Sequence, residues 1–168
     1  MSERVELTGA NLQAMSEDVQ ADGGPSAITK AFNETLIAEF RANGGVLAGE
    51  FERARFLLLT TTGAKSAKRR TTPLAYVKLD DRILIIASKG GAPKHPAWFL
   101  NLVANPEVTV EVGPEAYQAE AVVLQGAERD ELFARAAAKI SNFAEYQTRT
   151  DRVIPVVELR RIQAEASR

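Results

Sequence analysis

Two segments of the chain carry residues suited to holding an anion. The first, Thr60-Thr-Thr-Gly-Ala-Lys-Ser-Ala-Lys-Arg-Arg-Thr-Thr-Pro-Leu74, sets Lys65, Lys68, Arg69 and Arg70 within six residues and surrounds them with hydroxyls. Ammonium and guanidinium groups beside Ser66 and the threonines supply both charge and directed donors to phosphate or carboxylate oxygens. On charge alone, a hairpin tip kept in water by its lysines and arginines explains the same residues equally well. The second, Ala87-Ser-Lys-Gly-Gly-Ala-Pro-Lys-His-Pro-Ala-Trp98, leaves a strand, crosses Gly90 and Gly91 and enters a helix at Pro96. Consecutive glycines let the main chain approach a ligand closely, the helix start adds a partial positive charge and Lys89 a full one. A plain connection is the commoner meaning of one Gly-Gly turn. Two strand exits that both bear lysine and glycine point instead to one shared anion site. Trp98 suits either a wall against a flat ring or a core anchor, and core anchors are the commoner use. His95 fits a helix N-cap better than a metal ligand.

Other chemistries find little support. The chain has 168 residues, no cysteine and one histidine, which excludes a disulfide framework, a thiol nucleophile and thiolate or multi-histidine metal sites; no metal is expected. Its net charge is −1 with 21 lysines and arginines, and no aromatic side chain lies in Thr60–Leu74, so nucleic acid is not an expected partner. The glycine motifs of Rossmann and P-loop nucleotide binding are absent. Neither Ser66 nor Ser88 stands in a nucleophile-elbow sequence, and His95 directly precedes a proline, so a hydrolytic triad is not indicated. The first residues show no apolar h-region, which makes a cytoplasmic protein the expectation.

The elements that would position these segments follow from periodicity. Residues 1–25 are polar, contain Asp22-Gly-Gly-Pro25 and show no sustained repeat, so an N-terminal arm is expected ahead of a single domain over 26–168. Ile28, Phe32, Leu36, Ile37 and Phe40 recur at helical spacing over Ser26–Arg41, and Asn43-Gly-Gly45 ends that helix. Apolar and β-branched runs predict strands over Arg55–Thr62, Thr71–Val77, Arg82–Ala87, Val108–Val112, Tyr117–Leu124 and Val153–Leu159, with Asp80-Asp81 as a hairpin turn. Helices are expected over Pro96–Ala104, stopped by Asn105-Pro106, and over Ala127–Phe143, whose acids come early and Lys139 late. Six short strands with few long crossovers argue for an antiparallel barrel with peripheral helices.

The wording of Leu58-Leu-Thr-Thr-Thr-Gly-Ala-Lys-Ser66, Arg70-Thr-Thr-Pro-Leu74, Ala87–Trp98, Asn101-Leu-Val-Ala-Asn-Pro106 and Thr150-Asp-Arg-Val-Ile-Pro-Val-Val157 resembles the deazaflavin-dependent nitroreductase and quinone reductase family of actinobacteria, from about Phe32 to Ile162. The resemblance implies a split β-barrel similar to flavin-binding pyridoxamine-phosphate-oxidase barrels. It also implies coenzyme F-420, whose phosphate and glutamate tail suit a basic, amide-rich groove. By the same resemblance, Lys65, Ser66 and Arg70 look like tail and phosphate contacts, and Ser88, Lys89, Gly90 and Gly91 look like a second phosphate loop. Pro73, Leu74 and Ala87 would border the ring, and Trp98 and Asn101 fall in the helix beside the coenzyme. The implied chemistry is hydride transfer from the ring to an acceptor stacked on it, with Ser88 and Tyr146 as catalytic candidates.

For the acceptor, nitro-reducing members resemble one another in several tyrosines before the last strand, where this chain has Ile140, Phe143 and only Tyr146. A flat quinone is therefore the better expectation, with Phe32, Phe40, Phe143 and Tyr146 as an apolar cover. The same barrel can carry flavin mononucleotide or heme, and a non-catalytic carrier of the deazaflavin is a further alternative. Monomer and homodimer both stay open. Contact with the inner face of the membrane, where quinones dissolve, is a weaker expectation because the chain lacks a basic amphipathic pattern.

Overall fold

A computed structural model describes residues 27–47, 55–88, 94–140 and 142–162. The expected arm over 1–25 lies outside the described residues, and so do Lys89, Gly90 and Gly91. In chain order the elements are α1 (Ala27–Ala42), β1 (Phe56–Thr62), β2 (Arg69–Ala75), β3 (Val77–Leu79), β4 (Arg82–Ile86), α2 (Ala97–Ala104), β5 (Glu107–Val112), β6 (Glu115–Val123), α3 (Gly126–Lys139), α4 (Asn142–Thr148) and β7 (Val156–Arg161). All pairings are antiparallel in one sheet ordered β2-β1-β5-β6-β7-β4-β3, the split-barrel class that the sequence indicates.

Seven strands appear instead of six because the Thr71–Val77 run breaks at Tyr76, whose amide donates to Arg55 O at 3.0 Å. Below that residue the strand changes partner: β2 pairs with β1, whereas β3 pairs with β4. The two edge strands are thus one bent strand. A flat seven-stranded sheet would hold its edges roughly 29 Å apart, while one residue spans about 3.8 Å. The sheet must curl. Above Tyr76 the curl stays unzipped: β2 bonds only to β1, and Ile85 and Ile86 bond to β7 but have no partner on the β3 side. An open seam therefore runs between Arg69–Ala75 and the upper end of β4. Because neighbouring strands alternate in direction, β1 and β4 run the same way, and both anion-suited segments leave the barrel at one end.

The continuous apolar character of β1 and β4 reflects burial on both faces. Leu57, Leu59, Ile85 and Ala87 point into the barrel core with Trp98, Phe99 and Leu102 of α2. Phe56 and Leu58 meet Leu36 and Phe40 of α1, while Leu84 and Ile86 meet Leu132, Phe133 and Phe143 of α3 and α4. The expected Ala127–Phe143 helix divides, since Ile140 leaves helical geometry at φ −130°. The hairpin at Asp80 and Asp81 forms with φ of 51° and 65°, the left-handed pair that a tight two-residue turn requires. After α1, Gly45 adopts φ +87°, and a Cβ there would sit 2.4 Å from Gly113 Cα, so the helix terminus and the β5–β6 turn touch backbone to backbone.

A partly buried ion pair ties β4 to β7. Arg82 donates to both Glu158 oxygens, at 3.1 and 2.8 Å, and Arg160 adds a bond of 3.2 Å. The Arg82 bonds, followed by those of Arg160, hold the Glu158 carboxyl below its usual range despite burial. A depressed carboxylate pKa contributes stability above the unfolded value and loses it as pH falls through the folded value. Glu158→Gln should therefore lower unfolding free energy by about 1 to 3 kcal/mol near neutral pH, and the deficit should shrink on acidification. Urea midpoints across the acid range check this, and a deficit independent of pH contradicts it.

Candidate functional site

The β1–β2 turn is tightly built. Gly63 N donates to Lys68 O at 2.8 Å, Ala67 N to Gly63 O at 3.0 Å, and Ser66 Oγ accepts from Lys68 N at 3.2 Å. A Cβ at Gly63 would lie 2.4 Å from Ser66 Oγ, so a larger residue there would displace the hydroxyl that accepts from Lys68 N. Helix α2 fastens the turn from outside. Asn101 Oδ1 accepts from Ala64 N at 3.0 Å and its Nδ2 donates to Thr61 Oγ1 at 3.3 Å, while Asn105 Nδ2 donates to Thr62 O at 3.3 Å. Asn101, expected beside the coenzyme, thus has both ends of its amide engaged by the turn.

Strand period separates the basic residues. Arg69 faces away from the barrel core and bonds Thr62 Oγ1 at 3.3 Å and Thr109 Oγ1 at 2.6 Å, beside the Thr60–Thr71 hydroxyl pair at 2.7 Å. Arg70 falls on the opposite face, that of Thr72 and Leu74, and Leu74 packs against the barrel core beneath α2. Lys65, Lys68 and Arg70 are exposed and have no carboxylate partner among the described residues, whereas Arg41, Arg82, Arg135 and Arg161 all do. Period two also parts Pro73 from Leu74: Pro73 is buried on the α1 side, opposite Leu58, so only the Leu74 side chain reaches the seam-facing side.

Across the seam, Ala87 is fully buried in the core and Ser88 is buried. Their carbonyls accept from Arg152, Ala87 O from Nη1 at 3.2 Å and Ser88 O from Nη2 at 2.7 Å, and Arg152 Nη1 meets His95 Nδ1 at 3.1 Å. The helix N-cap is Pro96, with no side-chain cap, so His95 is displaced from the expected N-cap role; its ring stacks on Phe99 at 4.7 Å instead. Burial, and then the charge of Arg152, hold the imidazole below its ordinary value, which favours the neutral ring whose Nδ1 accepts a hydrogen bond from the guanidinium. Trp98 is an anchor of the barrel core, in edge contact with Phe99.

The aromatic cover does not assemble as expected. Phe40 belongs to the α1 cluster and Phe143 to the α3–α4 cluster, on different parts of the barrel exterior, and the side chain of Phe32 lies outside the described residues. Tyr146 packs against the α3–α4 cluster with the Arg149 guanidinium 5.7 Å above its ring. Arg152 lies in the Thr150–Val157 segment, where no charge cluster or glycine marks it in the sequence.

A family model described as F-420H(2)-dependent quinone reductase matches residues 34–160. The chain belongs to that family. An F-420H(2)-dependent quinone reductase of Mycobacterium tuberculosis is 44% identical over 110 residues, which make up 62% of this chain and 72% of the relative. A solved F-420-H2 dependent reductase is 45% identical with a TM-score of 0.57, covering 62% of this chain and 92% of that one. Another structure, described as a domain-swapped dimer, is 41% identical with a TM-score of 0.60, covering 75% and 92%. The heme storage protein HutZ of Vibrio cholerae, at 16% identity and a TM-score of 0.50 over 78% of this chain and 91% of its own, shares the fold alone. As a member of the quinone reductase family the chain is a reductase that uses the deazaflavin coenzyme, and the flavin mononucleotide and heme alternatives give way to it. Among the described residues no helix is long and apolar enough to cross a membrane.

The geometry assigns Asn101 to holding the turn. Asn101→Ala should cost about 1 to 3 kcal/mol for its two lost bonds, with faster amide exchange confined to residues 63–68. Urea unfolding with hydrogen exchange reads both, and unchanged protection of the turn would contradict the assignment.

Proposed function

We propose that this reductase passes a hydride from the reduced deazaflavin to a quinone, with the anionic arm of the coenzyme held by Lys65, Ser66 and Arg70 and its ring at the seam between Leu74 and Ala87. The observation that carries the reading is the trio Lys65, Lys68 and Arg70, cations without a carboxylate partner among the described residues, on a turn held by backbone bonds and by Asn101. Cations without internal carboxylate partners lose little by turning to a ligand's phosphate or carboxylates. The residues present fit a long polyanion better than a single phosphate, since the charges spread along the turn while Ser66, whose oxygen accepts from Lys68 N, keeps its hydroxyl proton to donate.

When bound, the reduced coenzyme supplies the hydride. The chain's own part is alignment and dryness: the partly buried Leu74 offers apolar contact to a flat ring on one side of the seam, Ala87 backs the other side from the core, and Ser88 is available to hydrogen-bond near it. Tyr146, on the helix that leads into the Arg152 loop, is the phenol proposed to donate a hydrogen bond to the acceptor oxygen. A quinone is favoured over a nitro compound because Tyr146 stands alone where nitro-reducing relatives resemble one another in several tyrosines.

Anaerobic oxidation of the reduced coenzyme by a menaquinone analogue, beside a nitro-aromatic, tests the acceptor. Faster reaction with the quinone is expected, and reaction with neither would overturn the proposal. In fluorescence titrations Lys65→Ala and Arg70→Ala should each weaken coenzyme binding by about 1 to 3 kcal/mol, while Arg69→Ala, facing away from the core, changes it less. Equal loss at all three would remove the assignment by face. Tyr146→Phe should slow turnover more than it weakens coenzyme binding, and unchanged turnover would leave the residue to packing.

A further inference from the structure

We infer that Arg152 is a positioning residue that holds the exit of β4, at Ala87 and Ser88, against His95 at the entry to α2 in the geometry that receives the coenzyme; this rests on the proposed binding mode. The inference comes from what the guanidinium spans. One planar fork reaches Ala87 O at 3.2 Å, Ser88 O at 2.7 Å and His95 Nδ1 at 3.1 Å, so the exit of β4 and the entry to α2 are bound to a single group. The main chain reinforces it, with Ala87 N donating to Pro155 O at 3.0 Å.

The loop that carries Arg152 is itself held from α3 and α4. Arg129 of α3 donates to Ile154 O at 3.1 and 2.6 Å and to Gln147 Oε1 at 3.1 Å. Gln147 of α4 accepts from Ile154 N at 3.0 Å and donates to Arg152 O at 2.8 Å. A chain of half-buried polar contacts thus runs from the two outer helices to the loop beside the seam. Each donor in it is directional, and a guanidinium cannot be replaced by an ammonium, which has one nitrogen and cannot reach acceptors on both sides of a fork. A loop left to sample several geometries binds more weakly by the fraction of time spent in the competent one.

Arg152→Lys and Arg152→Gln are compared with the parent for coenzyme affinity, acceptor KM, melting temperature and amide exchange at Ala87 and Ser88. Both variants should raise the coenzyme Kd on the order of tenfold, speed exchange at the β4 exit and leave acceptor KM unchanged, with the lysine no better than the glutamine. Millimolar guanidinium ion should recover part of the affinity of an Arg152→Ala variant that remains folded. An unchanged coenzyme Kd in both substitutions, while the parent binds normally, would overturn this role alone. Rescue of affinity by Arg152→Lys would overturn it as well, since charge and not the fork would then be what matters. Failure of the parent to bind the coenzyme would overturn the binding mode and this role together.

Discussion

The site depends on one change of partner. At Tyr76 a single bent strand leaves β1 and takes up β4, which closes the lower barrel and leaves the upper edges of β2 and β4 apart. A fully zipped barrel would fill that space with ladder hydrogen bonds and side chains. The open seam instead places Arg70 and Leu74 on one border and Ala87 and Ser88 on the other, at the end where both basic segments emerge. Packing energy is supplied elsewhere, by a core of thirteen buried residues from five strands and α2 and by the two outer clusters, so the seam does not have to stabilise the fold.

Around the seam, positioning and binding are divided between different residues. Neutral amides fasten the β1–β2 turn, through Asn101 and Asn105, while on the other border Gln147 acts together with the guanidinium groups of Arg129 and Arg152. Among the described residues no carboxylate holds the turn, which leaves Lys65, Lys68 and Arg70 for the external anion proposed above. Away from this end Arg41, Arg161 and Arg135 are neutralised by Glu111, Glu115 and Asp80. The chain as a whole carries a formal charge of −1, so the attraction is local and comes from which cations lack partners.

Much of this was legible in the sequence because it rests on local signals. Periodicity in Leu36–Phe40, the runs at Phe56–Thr62 and Arg82–Ile86 and the turn at Asp80-Asp81 each encode their element within a few residues. The break at Tyr76 was not legible, since Thr71–Val77 is an unbroken strand pattern and the bend comes from competition between two distant partners. The same holds for the roles of Asn101 and Arg152. An asparagine in a helix and an arginine in a loop carry no periodic or compositional mark, and their hydrogen-bond partners lie 37 and 64 positions away in the chain. The basic cluster was visible, but the division between Arg69 and Arg70 required knowing which face α2 covers.

The most direct test is a crystal structure of the protein with the deazaflavin coenzyme bound. The account predicts tail and phosphate oxygens within hydrogen-bond distance of Lys65, Ser66 and Arg70, and the ring in the seam between Leu74 and Ala87. A coenzyme bound elsewhere, with the basic turn in solvent and the seam filled by the chain's own side chains, would contradict it.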